Sequence, residues 1–150
     1  IILVVKIMPI FNKFYRCTCP VTSALDIVGD KWTLVIIKQM LLEYKTTFKD
    51  FYDSDEAIAP NILSQRLKRM QSIGLIKKLK HPINRKTNIY ILTEKGLTLT
   101  PIVIELALWG HNNITPMNQD VLKDHDVELN DKNKLQDLII NKYLTKTALR

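Results

Sequence analysis

Pro60-Asn61-Ile62-Leu63-Ser64-Gln65-Arg66-Leu67-Lys68-Arg69-Met70-Gln71-Ser72-Ile73-Gly74 decides how the rest of the chain is read. At about 100° per residue, Leu63, Leu67 and Met70 fall on one stripe, with Ile62 and Ile73 at its edges. Asn61, Ser64, Gln65, Lys68 and Ser72 occupy the opposite face. Arg69 flanks that face, and Arg66 lies nearer the stripe. Pro60 suits the first helical position, where its fixed φ and missing N–H cost nothing. That leaves Ala59 as the cap, forgoing about 1 kcal/mol relative to Ser. Gly74 ends the helix. Two strand-like runs follow, at 75–80 and 88–92, with Pro82, Asn84, Arg85 and Lys86 in the turn between them. This pattern predicts a helix with a packed stripe, leading into a hairpin with a basic tip.

Charge sets this stretch apart from the rest. Residues 57–93 hold eight Lys or Arg and no Asp or Glu, whereas the whole 150-residue chain has a net charge of +7. Bases and acids are nearly balanced everywhere else. A local positive field of this kind is the footprint of a surface that meets phosphate. A merely solvated helix face usually mixes both signs, so the absence of acids favours the functional reading.

Working outward toward the N-terminus, residues 57–59 follow an acidic loop, Asp53-Ser54-Asp55-Glu56. Before it, Thr46-Thr47-Phe48-Lys49-Asp50-Phe51-Tyr52 reads as a short helix capped by Thr. Residues 31–44 (Trp32, Leu34, Val35, Ile36, Ile37, Met40 and Leu41 among them) are apolar almost all round, as in a central buried helix. Asp30 is placed to cap it. Val21, Ala24, Leu25 and Val28 recur at helical spacing and stop at Gly29, a residue that tolerates φ > 0. Residues 1–10 are β-branched and apolar, and read as a strand or an interface arm. On the C-terminal side, Thr93-Glu94-Lys95-Gly96 leads into a long apolar helix over 97–109, which Pro101 either begins or kinks. Leu135, Leu138, Ile139 and Leu144 predict a last helix at about 131–146.

Several of these segments, in this order, resemble the HxlR-type transcriptional regulators. Cys19-Pro20 and Ala24-Leu25-Asp26-Ile27-Val28-Gly29-Asp30-Lys31-Trp32-Thr33-Leu34 are similar to the family's opening signature. Leu63-Ser64-Gln65-Arg66-Leu67-Lys68 with Gly74-Leu75-Ile76 resembles its recognition helix and exit. Tyr90, Leu92-Thr93-Glu94-Lys95-Gly96, Pro101 and Trp109-Gly110 resemble its second wing strand and last shared helix. Ala59, Asn61 and Asn88 depart from the Ser, the base and the acid common there. The resemblance implies a mainly α fold with a small β-hairpin wing, a dimeric winged helix-turn-helix. It further implies a homodimeric cytoplasmic regulator on double-stranded DNA. The expected organisation is an N-terminal arm at 1–16, the DNA-binding domain at 17–113 and a helical extension at 114–150.

The chemistry fits that expectation. Asn and Gln can bond adenine in two places and Lys can bond guanine, so Asn61, Ser64, Gln65 and Lys68 are the candidates for base edges. Arg69 is the candidate for phosphate, and Arg85 and Lys86 for the minor groove or its phosphates. The resemblance puts Cys19 where some thiol-sensing members detect oxidants or electrophiles; a small residue packed in the arm is the alternative. Trp32, Trp109 and the 97–109 helix read as core and dimer interface before an effector pocket. No catalytic signature is present, and Cys17, Cys19, His81, His111 and His125 lack metal-ligand spacing, so neither an enzyme, a metal nor a cofactor is expected. No apolar run reaches the roughly 18 residues of a membrane helix. The rival reading from another class is a winged-helix module whose basic face meets an acidic protein.

Overall fold

The computed structural model describes residues 18–116 and 131–148. The expected arm, Cys17 and Arg16 lie outside them. By its internal contacts the chain divides into two units, Ile1–Lys31 and Trp32–Arg150. The described part of the first is α1, Pro20–Val28, with Pro20 in its first turn. Gly29 follows at φ −74°. The left-handed backbone that Gly permits is therefore not used at this helix end.

The second unit opens with most of α2, Lys31–Glu43. Ile36, Ile37, Met40 and Leu41 are fully buried, which bears out the central position read from its composition. A short α3, Phe48–Tyr52, starts with a reciprocal cap. The Asp50 amide donates to Thr47 Oγ1 at 3.1 Å, and the Thr47 amide donates to the Asp50 carboxylate at 2.8 Å. Two otherwise orphaned donors are satisfied in this way.

α4, Pro60–Ser72, has Pro60 at its start and Ala59 at the cap, with no side-chain capping bond. Leu63, Leu67 and Met70 are buried, while Ile62 and Ile73 are half-buried, as the 3.6-residue period requires. Gly74, at φ +76°, turns the chain out of the helix. β1, Ile76–Lys80, and β2, Asn88–Leu92, pair antiparallel from Ile76↔Leu92 to Lys80↔Asn88. The alternation expected of these strands holds only at the root. On β1 Ile76 is buried but Leu79 is 45% exposed, although Ile89, its partner on β2, is buried.

β2 has a second backbone partner besides β1. The Tyr90 amide donates to the Thr46 carbonyl at 2.7 Å, and Thr47 forms an isolated bridge with Ile89. The expected single helix after the wing is two. A one-turn α5, Glu94–Leu97, is capped by Thr93, and α6 runs over Thr100–Asn113. Pro101 has no amide to offer the Leu97 carbonyl, and the Thr100 hydroxyl takes that carbonyl at 2.7 Å instead. Proline thus begins the longer helix rather than kinking it.

The last helix, α7, Lys132–Ala148, packs against α6. It buries Leu135 and Ile139, as expected, and also Tyr143, which periodicity alone did not single out. The Tyr143 hydroxyl accepts the Leu92 amide at 2.7 Å. Burial pushes this phenol up, against the bond from Leu92 and the Thr147 contact.

Candidate nucleic-acid interface

The surface is built from the helix-turn-helix upward. α3 packs against α4, and the loop between them is tied back to α2. Glu56 accepts from Gln39 Nε2 at 2.6 Å and from the Lys38 ammonium, which also holds Glu43. Partial burial pushes the Glu56 carboxyl up, but the bonds from Lys38 and Gln39 outweigh this and hold it at about 2. Ala57 then crosses into the left-handed region at φ 52° and bonds back to the Ser54 carbonyl at 3.0 Å. The turn before α4 is therefore held by charge-assisted bonds to half-buried Lys38 and buried Gln39 of α2, and α4 is aimed by it.

The exit of α4 is fixed as firmly. The Thr93 hydroxyl donates toward the Gly74 and Leu75 carbonyls at 2.6 and 3.2 Å, and Lys95 Nζ donates to the Ile73 carbonyl at 2.8 Å. A Cβ on Gly96 would stand 2.2 Å from the Leu75 carbonyl oxygen, so only glycine permits this approach. The Thr-Glu-Lys-Gly run thus stitches the end of the helix to the root of the wing.

With both ends fixed, α4 presents Asn61, Gln65, Lys68 and Arg69 to solvent, with Ser64 half-buried beside them. Asn61, Ser64, Gln65 and Lys68 share one helical face at spacings of three and four. Arg66 is half-buried, in line with the packing position read from its angle. Arg85 and Lys86 are also exposed, but in the turn at the far end of the hairpin, apart from the α4 group. Lys77, Lys78 and Lys80 are exposed along β1.

The hairpin turn has an internal order that the sequence did not disclose. The His81 amide donates to the Thr87 carbonyl, and the Thr87 amide to the Asn84 carbonyl, both at 2.9 Å. His81 Nδ1 accepts two amides, from Ile83 at 3.2 Å and Asn84 at 3.1 Å. The Lys86 amide donates to Asn84 Oδ1 at 3.3 Å. Ile83 is 90% exposed at the tip. The only signal for it was an aliphatic residue set between Pro82 and Asn84 in a polar turn.

Cys19 is exposed at the N-cap of α1. The Thr22 amide, then the Val21 amide and the Thr22 hydroxyl, hold its thiol below the ordinary value. Among the described residues no three His, Cys, Asp or Glu side chains group as a metal site, and no helix is long and apolar enough to cross a membrane.

A buried α2, the α3–α4 pair with its polar-faced second helix, and a basic hairpin are parts of a winged helix-turn-helix, and residues 27–118 match the HxlR-like helix-turn-helix family model. The chain belongs to the HxlR-like helix-turn-helix family. Its relatives include the uncharacterized HTH-type transcriptional regulator YybR of Bacillus subtilis, 32% identical over 108 residues, covering 71% of this chain and 81% of YybR. The redox regulator HypR in its oxidized form superposes with a TM-score of 0.56 at 28% identity, over 63% of this chain and 97% of HypR. The reduced form of the transcriptional regulator YodB from B. subtilis gives 0.52 at 27% identity, over 68% of this chain and all (100%) of YodB. The HxlR-like chain is thus a helix-turn-helix transcriptional regulator, mainly helical with a two-stranded wing.

Proposed function

We propose that this HxlR-like regulator binds operator DNA in the cytoplasm as a homodimer on a pseudo-palindromic site. It acts by occupancy and not by catalysis. The observation that carries the reading is the acid-free segment 57–93, whose polar helix face and basic turn are both exposed. Asn61, Ser64, Gln65 and Lys68 read base edges in the major groove, and Arg69 holds phosphate. Arg85 and Lys86 grip the flanking minor groove. Counterion release supplies most of the affinity, and the helix face supplies the choice of sequence.

Two separate apolar surfaces support the dimer. On α1, Val21 and Leu25 are 67% and 59% exposed; on α6, Leu106 and Trp109 are 51% and 60% exposed. Each pair lies on one side of its helix, and a second copy of the chain is the occupant that would dry them. Half-sites then fall about one helical turn, or a multiple, apart.

Cys19 is the thiol through which the regulator responds to oxidants, and the arm and the helical extension are appendages to the DNA-binding domain at 17–113. An exposed sulfur with a lowered pKa is the reactive kind, since the thiolate is the nucleophile. Two structural relatives, HypR and YodB, are described by their redox state.

The test is selection of bound duplexes from a random pool with the protein reduced and then oxidised by diamide, followed by titration against salt. A two-fold-symmetric site and a steep salt slope are expected, with a change on oxidation that Cys19→Ser removes. A slope near zero on every duplex would overturn DNA binding in favour of an acidic protein partner.

A further inference from the structure

Ile83 stands at the tip of the wing with nine-tenths of its surface in water, the most exposed of the large apolar residues among those described. Pro82, Asn84, Arg85 and Lys86 around it are all exposed, so it joins no apolar patch and supports no core. The turn beneath it is nonetheless firmly built. His81 Nδ1 accepts the amides of Ile83 and Asn84, and Asn84 Oδ1 accepts that of Lys86. A β-branched side chain has few rotamers to lose, so on this base it is a stiff projection. The cations two and three residues on bring it against a polyanion.

We propose that Ile83 is an apolar wedge that enters the DNA minor groove beside the contacts of Arg85 and Lys86, with His81 as its positioning residue. The inference rests on the operator-binding reading and deepens it, by giving the wing a sequence preference of its own. Proteins that enter the minor groove use aliphatic side chains in this way, against sugar walls and partly opened base steps. Pyrimidine–purine steps open most easily, so the wing prefers them where Ile83 lands. The wedge carries no charge and releases no counterion, which separates its signature from that of the neighbouring cations.

The full chain is titrated by fluorescence anisotropy against one selected duplex at several salt concentrations, and against the same duplex with the step under the wing changed. Ile83→Ala is expected to weaken binding by about five- to tenfold, with the salt slope unchanged and the step preference lost. Arg85→Ala lowers the slope by about 0.9 and leaves the step preference. His81→Leu removes the acceptor and weakens binding as Ile83→Ala does. The double variant is no weaker than either single, because both delete one contact. His81→Asn, whose side-chain oxygen accepts turn amides in the same manner, restores binding. Ile83→Ala within about twofold of the parent, with the step preference intact while Arg85→Ala shows its loss, would overturn the wedge alone. A parent chain whose binding ignores salt would overturn the operator reading, and the wedge with it.

Discussion

Gly96 shows how narrowly one residue holds the interface. Its missing Cβ leaves room for the Leu75 carbonyl, and a methyl there would meet that backbone oxygen at 2.2 Å, a clash that moving the nearby Leu92 side chain would not relieve. Gly96→Ala is expected to cost roughly 2 kcal/mol or more by overpacking, read as a lower urea midpoint. DNA affinity falls with it, because the wing root shifts. Arg85 and Lys86 behave in the opposite way. Each is exposed, so Arg85→Ala or Lys86→Ala leaves the urea midpoint unchanged and flattens the salt dependence of binding by about 0.9 per lost phosphate contact. At this scale the sequence was a good guide to α4. The 3.6-residue period of Leu63, Leu67 and Met70 alone separated the buried residues from Asn61, Gln65 and Lys68. It was a poor guide to Ile83 and His81, since a turn has no period and its bonds depend on where a ring nitrogen points.

Among the elements, the turn before α4 carries a pH dependence that can be worked out. Glu56 ionises at about 2 in the folded chain against an ordinary value of 4.5. Its contribution to stability is complete above 4.5 and is lost as the pH falls through about 2. Acid titration followed by circular dichroism should show this component in the parent and not in Glu56→Gln. High salt should shrink it, because the pair is partly exposed. The break between α5 and α6 marks a limit of reading by composition. Residues 97–109 are apolar enough to suggest one helix, and Pro101, with the Thr100 hydroxyl on the Leu97 carbonyl, explains where the second begins. The wing is similar. Alternation in the sequence promised one covered face, but β1 is exposed throughout after Ile76, while β2 stays buried at Ile89, Tyr90 and Leu92.

For the molecule as a whole, the proposed dimer makes a direct prediction. Leu106→Glu or Trp109→Glu on α6 puts a charge into a surface that a second copy is proposed to cover. Sedimentation should then report the mass of one chain, with unchanged helicity and at least about a hundredfold weaker binding to a two-half-site duplex, because linkage between the half-sites is lost. A second prediction concerns the contact between α7 and the wing root. Tyr143→Phe strands the Leu92 amide in a buried place and should cost about 1–3 kcal/mol, measured by urea unfolding. Neither partner announces the other in the sequence, for the two residues are 51 positions apart. That separation also has a meaning in time. At roughly 5–20 residues per second, a ribosome takes about 3–10 s to make the chain between them. Through that interval Thr46 and Thr47 can already hold β2 at Tyr90 and Ile89, but the Leu92 amide has no partner from Tyr143. The final helix supplies that bond, so a polypeptide halted before it would leave the ribosome with α4 and both strands made and the Leu92 amide still unclaimed.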